Sequence, residues 1–326
     1  MRFIVKCCQA SAAPIRCNYP NFSTATVDVK HVASQLKELS ELWDLQKYPI
    51  ELADNGKSIL PSEWLEEARR DLIEKNYVLL PNLVPSNGIR KVMEEVGRFP
   101  KASYYSSSMT HNILLEENDE AKETIVLSSE ESEAENVLSE LEQESRKTLV
   151  AYDNFQDGSP LRQLYNSEIL RQVVSYVLTP PGANERKTIY TSADHMGAAY
   201  LNVFEQGDQL GWHFDRSQFF VNLVLQTATS GGDFQFAWDH DSRKCPSYAS
   251  LNKIVVEDAE EKANENLHTL SPQSGTLMIF AGNRAMHRVT PVQSDQPRIN
   301  VIFTFESKPD IVLNEYTREK FFGRKE

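Results

Sequence analysis

The sequence predicts an α+β fold in which a helical N-terminal half packs against a C-terminal β jelly roll. Two observations support this class. Between residues 29 and 182 apolar side chains recur at helical spacing, whereas after Gly182 the chain breaks into short runs rich in β-branched and aromatic residues. Many short strands separated by turn residues are typical of a sandwich or barrel. At 326 residues with 40% hydrophobic content, the chain is long enough to bury a full core.

Four helices and one strand are predicted before Gly182. Pro49 ends the first helix, and Ser62 and Asn76 are candidate caps at the two ends of the second. The sequence Thr-Pro-Pro-Gly at 179–182 stops the fourth helix, because proline cannot continue a helix. The predicted helices cover 29–48, 62–76, 89–98 and 161–178, and the strand covers 77–80.

Six strands are predicted after Gly182, each a β-rich run bounded by turn residues. They cover 187–190, 198–204, 219–226, 234–238, 276–280 and 298–306. We therefore expect a flexible N-terminus at 1–28, a helical part at 29–182 and a jelly-roll core at 183–326. The helical part and the core should pack together as one composite unit.

The formal net charge of −13 is concentrated in one segment of the chain. Residues 116–144 contain twelve acidic residues and one basic residue, Lys122, which leaves the remainder nearly neutral. The segment has too few apolar residues to bury itself, so we expect a solvated helix or a mobile surface insertion. A docking function is the alternative for this acidic insertion.

The composition argues against a nucleic-acid partner and against membrane insertion. The chain has no cluster of Lys and Arg interleaved with aromatic residues, which would be the electrostatic footprint of a nucleic-acid binder. No run approaches the roughly 18 apolar residues of a spanning helix. The composition does not indicate an oligomeric state.

The cysteines and the N-terminus bear on the cellular compartment. Cys7, Cys8, Cys17 and Cys245 show neither a disulfide framework nor CxxC spacing, so a reduced, cytoplasmic protein is expected. Residues 1–27 contain no acid, a composition that transit peptides share. Organelle targeting therefore stays open as an alternative.

A candidate metal site begins in the sequence Gly-Trp-His-Phe-Asp at 211–215. His213 and Asp215 are two residues apart, so at the end of a strand both side chains leave the same face. An apolar strand and a glycine turn at 275–286 precede His287, which can return a second imidazole to the same barrel mouth. Two imidazoles and one carboxylate form the facial triad that holds iron(II) and leaves positions open for other ligands.

Arg298 lies on the next predicted strand after His287. Alternation along that strand sends Arg298, Asn300 and Ile302 to one face. A guanidinium beside the triad can hold a carboxylate with two parallel charge-assisted hydrogen bonds, which suits the distal carboxylate of 2-oxoglutarate. Without the metal triad, the expected role of Arg298 would be an ion pair with a neighbouring acidic residue.

Residues 200–323 resemble the iron(II)/2-oxoglutarate oxygenases, and the similarity is closest to their branch of free amino-acid hydroxylases and halogenases. The resemblance is carried by the motif at 211–215, Gly-Gly-Asp-Phe at 231–234, the stretch 280–291, Pro-Arg at 297–298 and Phe-Phe-Gly-Arg at 321–324. It implies a double-stranded β-helix (jelly-roll) core that binds iron(II), with 2-oxoglutarate as co-substrate and O2 as oxidant.

The resemblance also implies roles for individual residues. The run from Asn202 to the metal motif is similar to the corresponding strand and turn of AlkB-type demethylases, which implies that Asn202 contacts 2-oxoglutarate. Phe204 stands where that family has Tyr, so one hydrogen bond is absent or supplied elsewhere. Asn300 is a second implied contact. Halogenating members carry Gly or Ala in place of Asp215, so the carboxylate here implies oxygen transfer or desaturation.

The substrate class comes from the resemblance alone: a small amino acid or an amino-acid-derived metabolite, oxidised at an unactivated C–H bond by hydroxylation, desaturation or cyclisation. Asp194, His195 and Arg216 lie near the predicted barrel mouth and are candidates for holding it, with an ordinary surface-loop role as the alternative. Two other functions stay open, a protein side-chain hydroxylase and a non-catalytic binding protein with a degenerate jelly roll.

Overall fold

A computed structural model describes residues 39–53, 59–113, 142–256 and 264–326 of the chain. Within these ranges the helices are α1 (Glu63–Lys75), α2 (Ser86–Val96), α3 (Pro160–Tyr165), α4 (Glu168–Leu178), α5 (Tyr248–Val256) and α6 (Glu315–Phe322). None of these helices is long and apolar enough to cross a lipid bilayer.

Thirteen strands are described in the same ranges. They are β1 (Tyr77–Leu80), β2 (Tyr104–His111), β3 (Gln143–Val150), β4 (Tyr190–Thr191), β5 (Ala199–Phe204), β6 (Leu210–His213), β7 (Phe220–Gln226), β8 (Phe234–Ala237), β9 (Leu267–Leu270), β10 (Leu277–Phe280), β11 (His287–Val289), β12 (Arg298–Phe303) and β13 (Phe305–Glu306).

The strands form two large antiparallel sheets. The major sheet has the order β1-β10-β7-β12-β5-β3-β2, and the minor sheet has the order β6-β11-β8-β9. Strands β13 and β4 form a separate two-stranded antiparallel sheet. Sequence neighbours such as β6 and β7 lie in different sheets, so the chain crosses between them repeatedly. The antiparallel double-sheet arrangement agrees with the predicted jelly roll.

The predicted helical N-terminal half is not confirmed, because three of its segments are strands of the major sheet. The strand predicted at 77–80 is present as β1, but β2 and β3 were not predicted. Both are half-exposed strands of mostly polar residues, and even buried positions hold the polar Ser107, Ser145 and Lys147, so the strands lack the apolar runs that predict a strand. Tertiary pairing with β5, rather than local preference, places β3 in the sheet.

The helices of the N-terminal half cover one face of the major sheet. In α1, Leu65, Ala68 and Leu72 form the buried stripe, and Asn76 ends the helix in the left-handed region with φ 69°. Ser62 occupies the predicted N-cap position, although its hydroxyl makes no capping hydrogen bond. The helix predicted at 161–178 is two helices, since Ser167 starts α4 by accepting a 3.0 Å hydrogen bond from the Leu170 N–H.

Other predictions fall partly outside the described residues. Of the helix expected at 29–48, residues 29–38 lie outside, and the remainder shows only a short 3-10 helix at Leu39–Glu41. The flexible N-terminus expected at 1–28 lies outside as well. Of the acidic insertion expected at 116–144, residues 116–141 lie outside, while Gln143 and Glu144 begin β3.

Two apolar clusters frame the space between the sheets. The larger one joins α1–α4 to the outer face of the major sheet, and includes the fully buried Leu161, Val173, Val221 and Val301. A second cluster lies between the sheets and is dominated by aromatic rings, namely Phe204, Phe234, Phe236 and Phe280. The inner cluster excludes water from one end of the inter-sheet space, and the candidate site lies beside it.

Candidate metal centre and cavity

The three predicted metal ligands lie together at one end of the minor sheet. His213 is the last residue of β6 and pairs with His287, the first residue of β11. Asp215 follows in the loop after β6, with its Oδ1 3.4 Å from His213 Nε2 and its Oδ2 3.5 Å from His287 Nε2. One ligand atom from each residue lies within 4.8 Å of the other two. This arrangement can hold a metal ion.

Backbone carbonyls fix both imidazoles in the orientation that a metal needs. His213 Nδ1 lies 2.8 Å from the Gly211 carbonyl oxygen, and His287 Nδ1 lies 3.0 Å from the Ala285 carbonyl oxygen. A carbonyl oxygen only accepts hydrogen bonds, so each Nδ1 carries the proton and donates. The lone pair therefore sits on each Nε2, which faces Asp215.

The surroundings also favour the protonation states of a metal site. Burial lowers the pKa of His213 to about 4, and the neighbouring His287 contributes. Burial by itself raises the pKa of the Asp215 carboxyl, but His287 and His213 outweigh it and hold that pKa well below its usual range. At neutral pH the first imidazole is neutral and the carboxylate is charged, as ligands of a divalent ion must be.

A glycine determines where the Asp215 carboxylate can lie. The Asp215 N–H donates to the Gly282 carbonyl oxygen at 3.1 Å, and a Cβ added at Gly282 would lie 1.9 Å from Asp215 Oδ2. Gly282 has no left-handed backbone, so the requirement is for space. The sequence indicates only a turn at Gly282, since nothing local shows that a side chain from the loop after β6 passes over it.

A cavity of about 180 Å³ lies between the two sheets and contains the triad. The minor-sheet side contributes the His and Asp ligands and aromatic rings such as Phe234. The major-sheet wall contributes polar residues: Lys147, Asn202, Asn222, Arg298 and Asn300. The cavity thus joins a metal-binding side to a polar wall.

Arg298, at the start of β12, is the predicted anchor for 2-oxoglutarate. Its side chain is buried, and burial lowers its pKa to about 10, with Asp233 acting in the opposite direction. Its Nε is buried and, within the described ranges, has no hydrogen-bond partner. A buried guanidinium with an open donor requires an anion, because leaving such a group unpaired costs stability.

Asn202 and Asn300 lie side by side next to this arginine. They pair across β5 and β12, and the Oδ1 atoms of both are buried without a partner in the described part of the chain. Asn300 Nδ2 donates to Asn222 Oδ1 at 2.7 Å. Buried polar groups are normally satisfied, so these open acceptor oxygens mark a place for a ligand group that donates a hydrogen bond. The open Nε donor of Arg298 is the atom that fits a carboxylate of 2-oxoglutarate.

The three candidate substrate residues do not line this cavity. Asp194 is fully buried, and its carboxylate accepts hydrogen bonds from the N–H groups of Met196, Gly197 and Leu313 and pairs with Arg318 at 2.8 Å. His195 and Arg216 are exposed. The position of Asp194 fits a structural role better than the predicted contact with substrate, since all its acceptor sites are engaged.

His111 and Lys147 also line the cavity, and neither was predicted from the sequence. His111 Nδ1 donates to the Asn112 carbonyl oxygen at 2.9 Å, so its Nε2 accepts from the Ser145 hydroxyl at 2.7 Å. The same hydroxyl oxygen accepts from the Gly211 N–H at 2.9 Å, which ties β2 and β3 to the metal motif. Only recognition of β3 as a strand would have revealed that Ser145 and Lys147 point inward.

A family comparison agrees with the site. The family model described as Halogenase D matches residues 107–321, and the chain therefore belongs to the Halogenase D family. Family membership and the His213-Asp215-His287 group confirm the predicted class, an oxidoreductase of the iron(II)/2-oxoglutarate oxygenase superfamily. No curated protein sequence matches the chain significantly.

Similar solved structures have low sequence identity. An oxidoreductase of the 2OG-Fe(II) oxygenase family from Burkholderia pseudomallei is 11% identical with a TM-score of 0.46, and the match covers 75% of this chain and 91% of that one. EctD from S. alaskensis, with 2-oxoglutarate and 5-hydroxyectoine, is 14% identical with a TM-score of 0.44 and 76% coverage of both chains. A prolyl-4-hydroxylase from Pseudomonas putida is 14% identical with a TM-score of 0.41, covering 73% of this chain and 97% of that one.

Proposed function

We propose that the chain oxygenates an unactivated C–H bond of a small amino acid or amino-acid-derived metabolite, and that it does not halogenate its substrate. The observation that carries this proposal is the position of Asp215, whose two carboxylate oxygens lie within 3.5 Å of the Nε2 atoms of His213 and His287. The halogenases that the sequence resembles have no carboxylate at that position. Here the side chain occupies the space that a halide would need.

Different residues of the chain would bind iron(II) and 2-oxoglutarate. His213, Asp215 and His287 would hold iron(II), while Arg298 and its neighbour Asn202 would hold the distal carboxylate of 2-oxoglutarate. When bound, iron(II) with 2-oxoglutarate and O2 supplies the oxidation of a C–H bond, and 2-oxoglutarate is converted to succinate and carbon dioxide. The protein orients these groups and excludes water.

The size and lining of the cavity support a small substrate. Its volume of about 180 Å³ is below the roughly 300–1,000 Å³ of pockets for drug-sized ligands. Phe204, Phe220 and Phe234 line it and keep the reacting groups away from bulk water. A cavity of this volume and lining is suited to a compact organic acid.

The proposal is tested by supplying purified, iron-loaded protein with 2-oxoglutarate, oxygen and chloride. A panel of free L-amino acids, an extract of small metabolites and a set of peptides would be assayed for succinate release and for new products by mass spectrometry. We expect a small metabolite to stimulate succinate release and to gain one oxygen atom or lose two hydrogens. A chlorinated product, or stimulation by peptides alone, would overturn the proposal.

The Asp215→Gly variant tests the carboxylate directly. We expect it to end oxygenation, because it removes one of the three side chains that would hold iron(II) in this chain. With chloride supplied we expect no more than a trace of chlorinated product, since an anion in the vacated space also needs surrounding donors to hold it. Succinate, oxygenated product and chlorinated product should be measured together. Undiminished oxygenation would show that Asp215 does not bind the metal.

A further inference from the structure

Lys147 is a buried lysine on the inner face of the major sheet. Burial alternates along β3, so Ser145, Lys147 and Leu149 point inward together. Only 5% of the surface of Lys147 is exposed, and its side chain lines the cavity. Lysine is among the residues most rarely buried in folded proteins unless it has an ionic partner. Its position therefore requires an explanation.

The described part of the chain supplies no such partner. Lys147 Nζ lies 6.0 Å from the centre of the Tyr200 ring and 5.4 Å from the centre of the Phe321 ring, and it makes no hydrogen bond or ion pair with a described residue. Aromatic faces attract a cation but do not satisfy its three N–H donors. Burial lowers the pKa of Lys147 to about 8, and the charge of Asp215 acts against this shift.

The two cations of the wall occupy different positions. Thr148 of β3 pairs with Val203 of β5, and extending this register by one residue places Lys147 beside Phe204. On the other side of β5, Phe204 pairs with Arg298. The backbone of Phe204 therefore lies between the backbones of Lys147 and Arg298. The open Nε donor of Arg298 lies on that side of the wall, so the distal carboxylate of the co-substrate is assigned to the arginine.

The anions of the site leave none assigned to Lys147. Asp215 is assigned to the metal, Asp233 acts on Arg298, and the two carboxylates of 2-oxoglutarate are assigned to the metal and to Arg298. A buried ammonium without an anion beside it is costly, and a ligand that places an anion there is favoured. The carboxylate of the organic substrate can supply it.

We propose that Lys147 binds the carboxylate of the organic substrate, so that the enzyme takes a small molecule with a free carboxylate and discriminates against its amide. This inference rests on the proposed function and narrows its substrate class. Tyr200 and Phe321 flank the ammonium and would position the carbon chain next to it.

The test pairs a protein variant with a change in the ligand. The probes are free L-amino acids and the corresponding L-amino-acid amides, which differ only in the carboxylate. The variants are Lys147→Met, which keeps the length of the side chain and removes the charge, Lys147→Arg, which keeps the charge, and Lys308→Met as the control at an exposed position. Binding of each probe is measured on protein loaded with manganese(II) and 2-oxoglutarate, and turnover is measured with iron(II).

We expect the parent protein to bind its best amino acid about tenfold or more tighter than the amide, from the usual strength of a charged hydrogen bond. Lys147→Met should remove that preference, leave the affinity for 2-oxoglutarate within about twofold, and keep the melting temperature, because an apolar side chain is cheaper to bury than an ammonium. Lys147→Arg should restore part of the preference for the acid.

Each of the following results would overturn the inference. Equal binding of acids and amides by the parent protein would show that no carboxylate is recognised. Loss of 2-oxoglutarate affinity in Lys147→Met with the acid preference retained would make Lys147 a co-substrate anchor. If the manganese-loaded parent binds 2-oxoglutarate and no amino acid, the substrate class is wrong while the oxygenase proposal stands; if it does not bind 2-oxoglutarate, the proposed function fails as well.

Discussion

The two sides of the cavity differ in how completely their polar groups are satisfied. On the minor-sheet side, His213 and His287 each donate from Nδ1 to a backbone carbonyl, and Asp215 lies between their Nε2 atoms. On the major-sheet wall, Arg298 Nε has no hydrogen-bond partner among the described residues. The Lys147 ammonium contacts the rings of Tyr200 and Phe321 and makes no hydrogen bond or ion pair with a described residue. One side is prearranged by its own backbone, and the other is completed by its ligands.

This difference predicts two kinds of mutational effect. Because the metal side works as a unit, removing one member should abolish metal binding rather than weaken it in proportion. Under the proposed function each wall residue contacts one part of a ligand, so a substitution there should change one affinity and leave the others. The variants below test this division, beginning with the largest effect.

The largest loss is expected for His287→Ala, and equally for His213→Ala. Each leaves two protein ligands, which cannot retain iron(II) in competition with water, so succinate formation should cease. The measurements are metal content after dialysis and succinate release. The control is His240→Ala, since His240 is exposed and does not line the cavity. Full turnover by a metal-analysed His287→Ala protein would remove that residue from the triad.

Gly282→Ala should impair metal binding although it replaces none of the three ligands. The new methyl group would lie 1.9 Å from Asp215 Oδ2, so the carboxylate must leave its position between the imidazoles. We expect iron(II) affinity to fall and oxygenation to drop as in Asp215→Gly. The matched control is Gly97→Ala, where the nearest atom is 3.5 Å away. If metal affinity is the same in both alanine variants, Gly282 does not position Asp215.

Arg298→Lys should affect the wall alone. An ammonium cannot reproduce the two-pronged contact of a guanidinium with a carboxylate, so the 2-oxoglutarate affinity should fall by about 1.5–3 kcal/mol. Iron content and the affinity for the organic substrate should stay close to those of the parent protein. The apparent affinities for both ligands are measured by varying one at saturating levels of the other. An unchanged affinity for 2-oxoglutarate would place its anchor elsewhere.

Asp194→Asn should have the smallest effect on turnover by the folded protein, because Asp194 lies outside the cavity. It should destabilise the fold by about 3–5 kcal/mol, the usual cost of breaking a buried pair, since Arg318 loses its partner. Chemical unfolding gives the free energy, and kinetics on folded protein gives the affinity for substrate. A raised KM with unchanged stability would instead support the predicted role in substrate binding.

The same residue predicts a pH dependence. Burial opposes the charge of Asp194, but the Gly197 N–H and Arg318 outweigh burial and hold the pKa of this carboxyl below its usual value in the folded state. Protonation is therefore easier in the unfolded chain, and folding stability falls as the pH drops through the usual aspartate range and below. In Asp194→Asn this part of the acid sensitivity should be absent.

The metal side could be predicted from sequence because its information is local. His213 and Asp215 sit in one short motif, and His287 follows an apolar strand and a turn, so chain order alone brings them to one end of the sheet. The strands that were predicted, such as β7 and β10, are runs buried along most of their length. Their composition is sufficient to identify them.

The wall was harder to predict because it depends on pairing between distant segments. Lys147 lies in a strand that has few apolar residues and is recruited by β5. Gly282 matters only because a carboxylate from another part of the chain passes over it. Two donors to Asp194 are the nearby N–H groups of Met196 and Gly197, but the Leu313 N–H and the Arg318 guanidinium come from a distant segment that has no sequence pattern linking it to Asp194. Such roles come from tertiary contacts that composition and spacing do not encode.

The carbonyl contacts at Gly211 and Ala285 have a further consequence for which ion the protein acquires. Ligands that are fixed in advance accept any divalent ion of suitable size, and copper, nickel and zinc bind such donor sets more tightly than ferrous ion does. Iron occupancy is then decided by supply in the cell, not by selectivity at the site. Protein purified in air from a zinc-containing medium should be isolated in a zinc-inhibited form, and chelation followed by anaerobic ferrous reconstitution should restore its turnover.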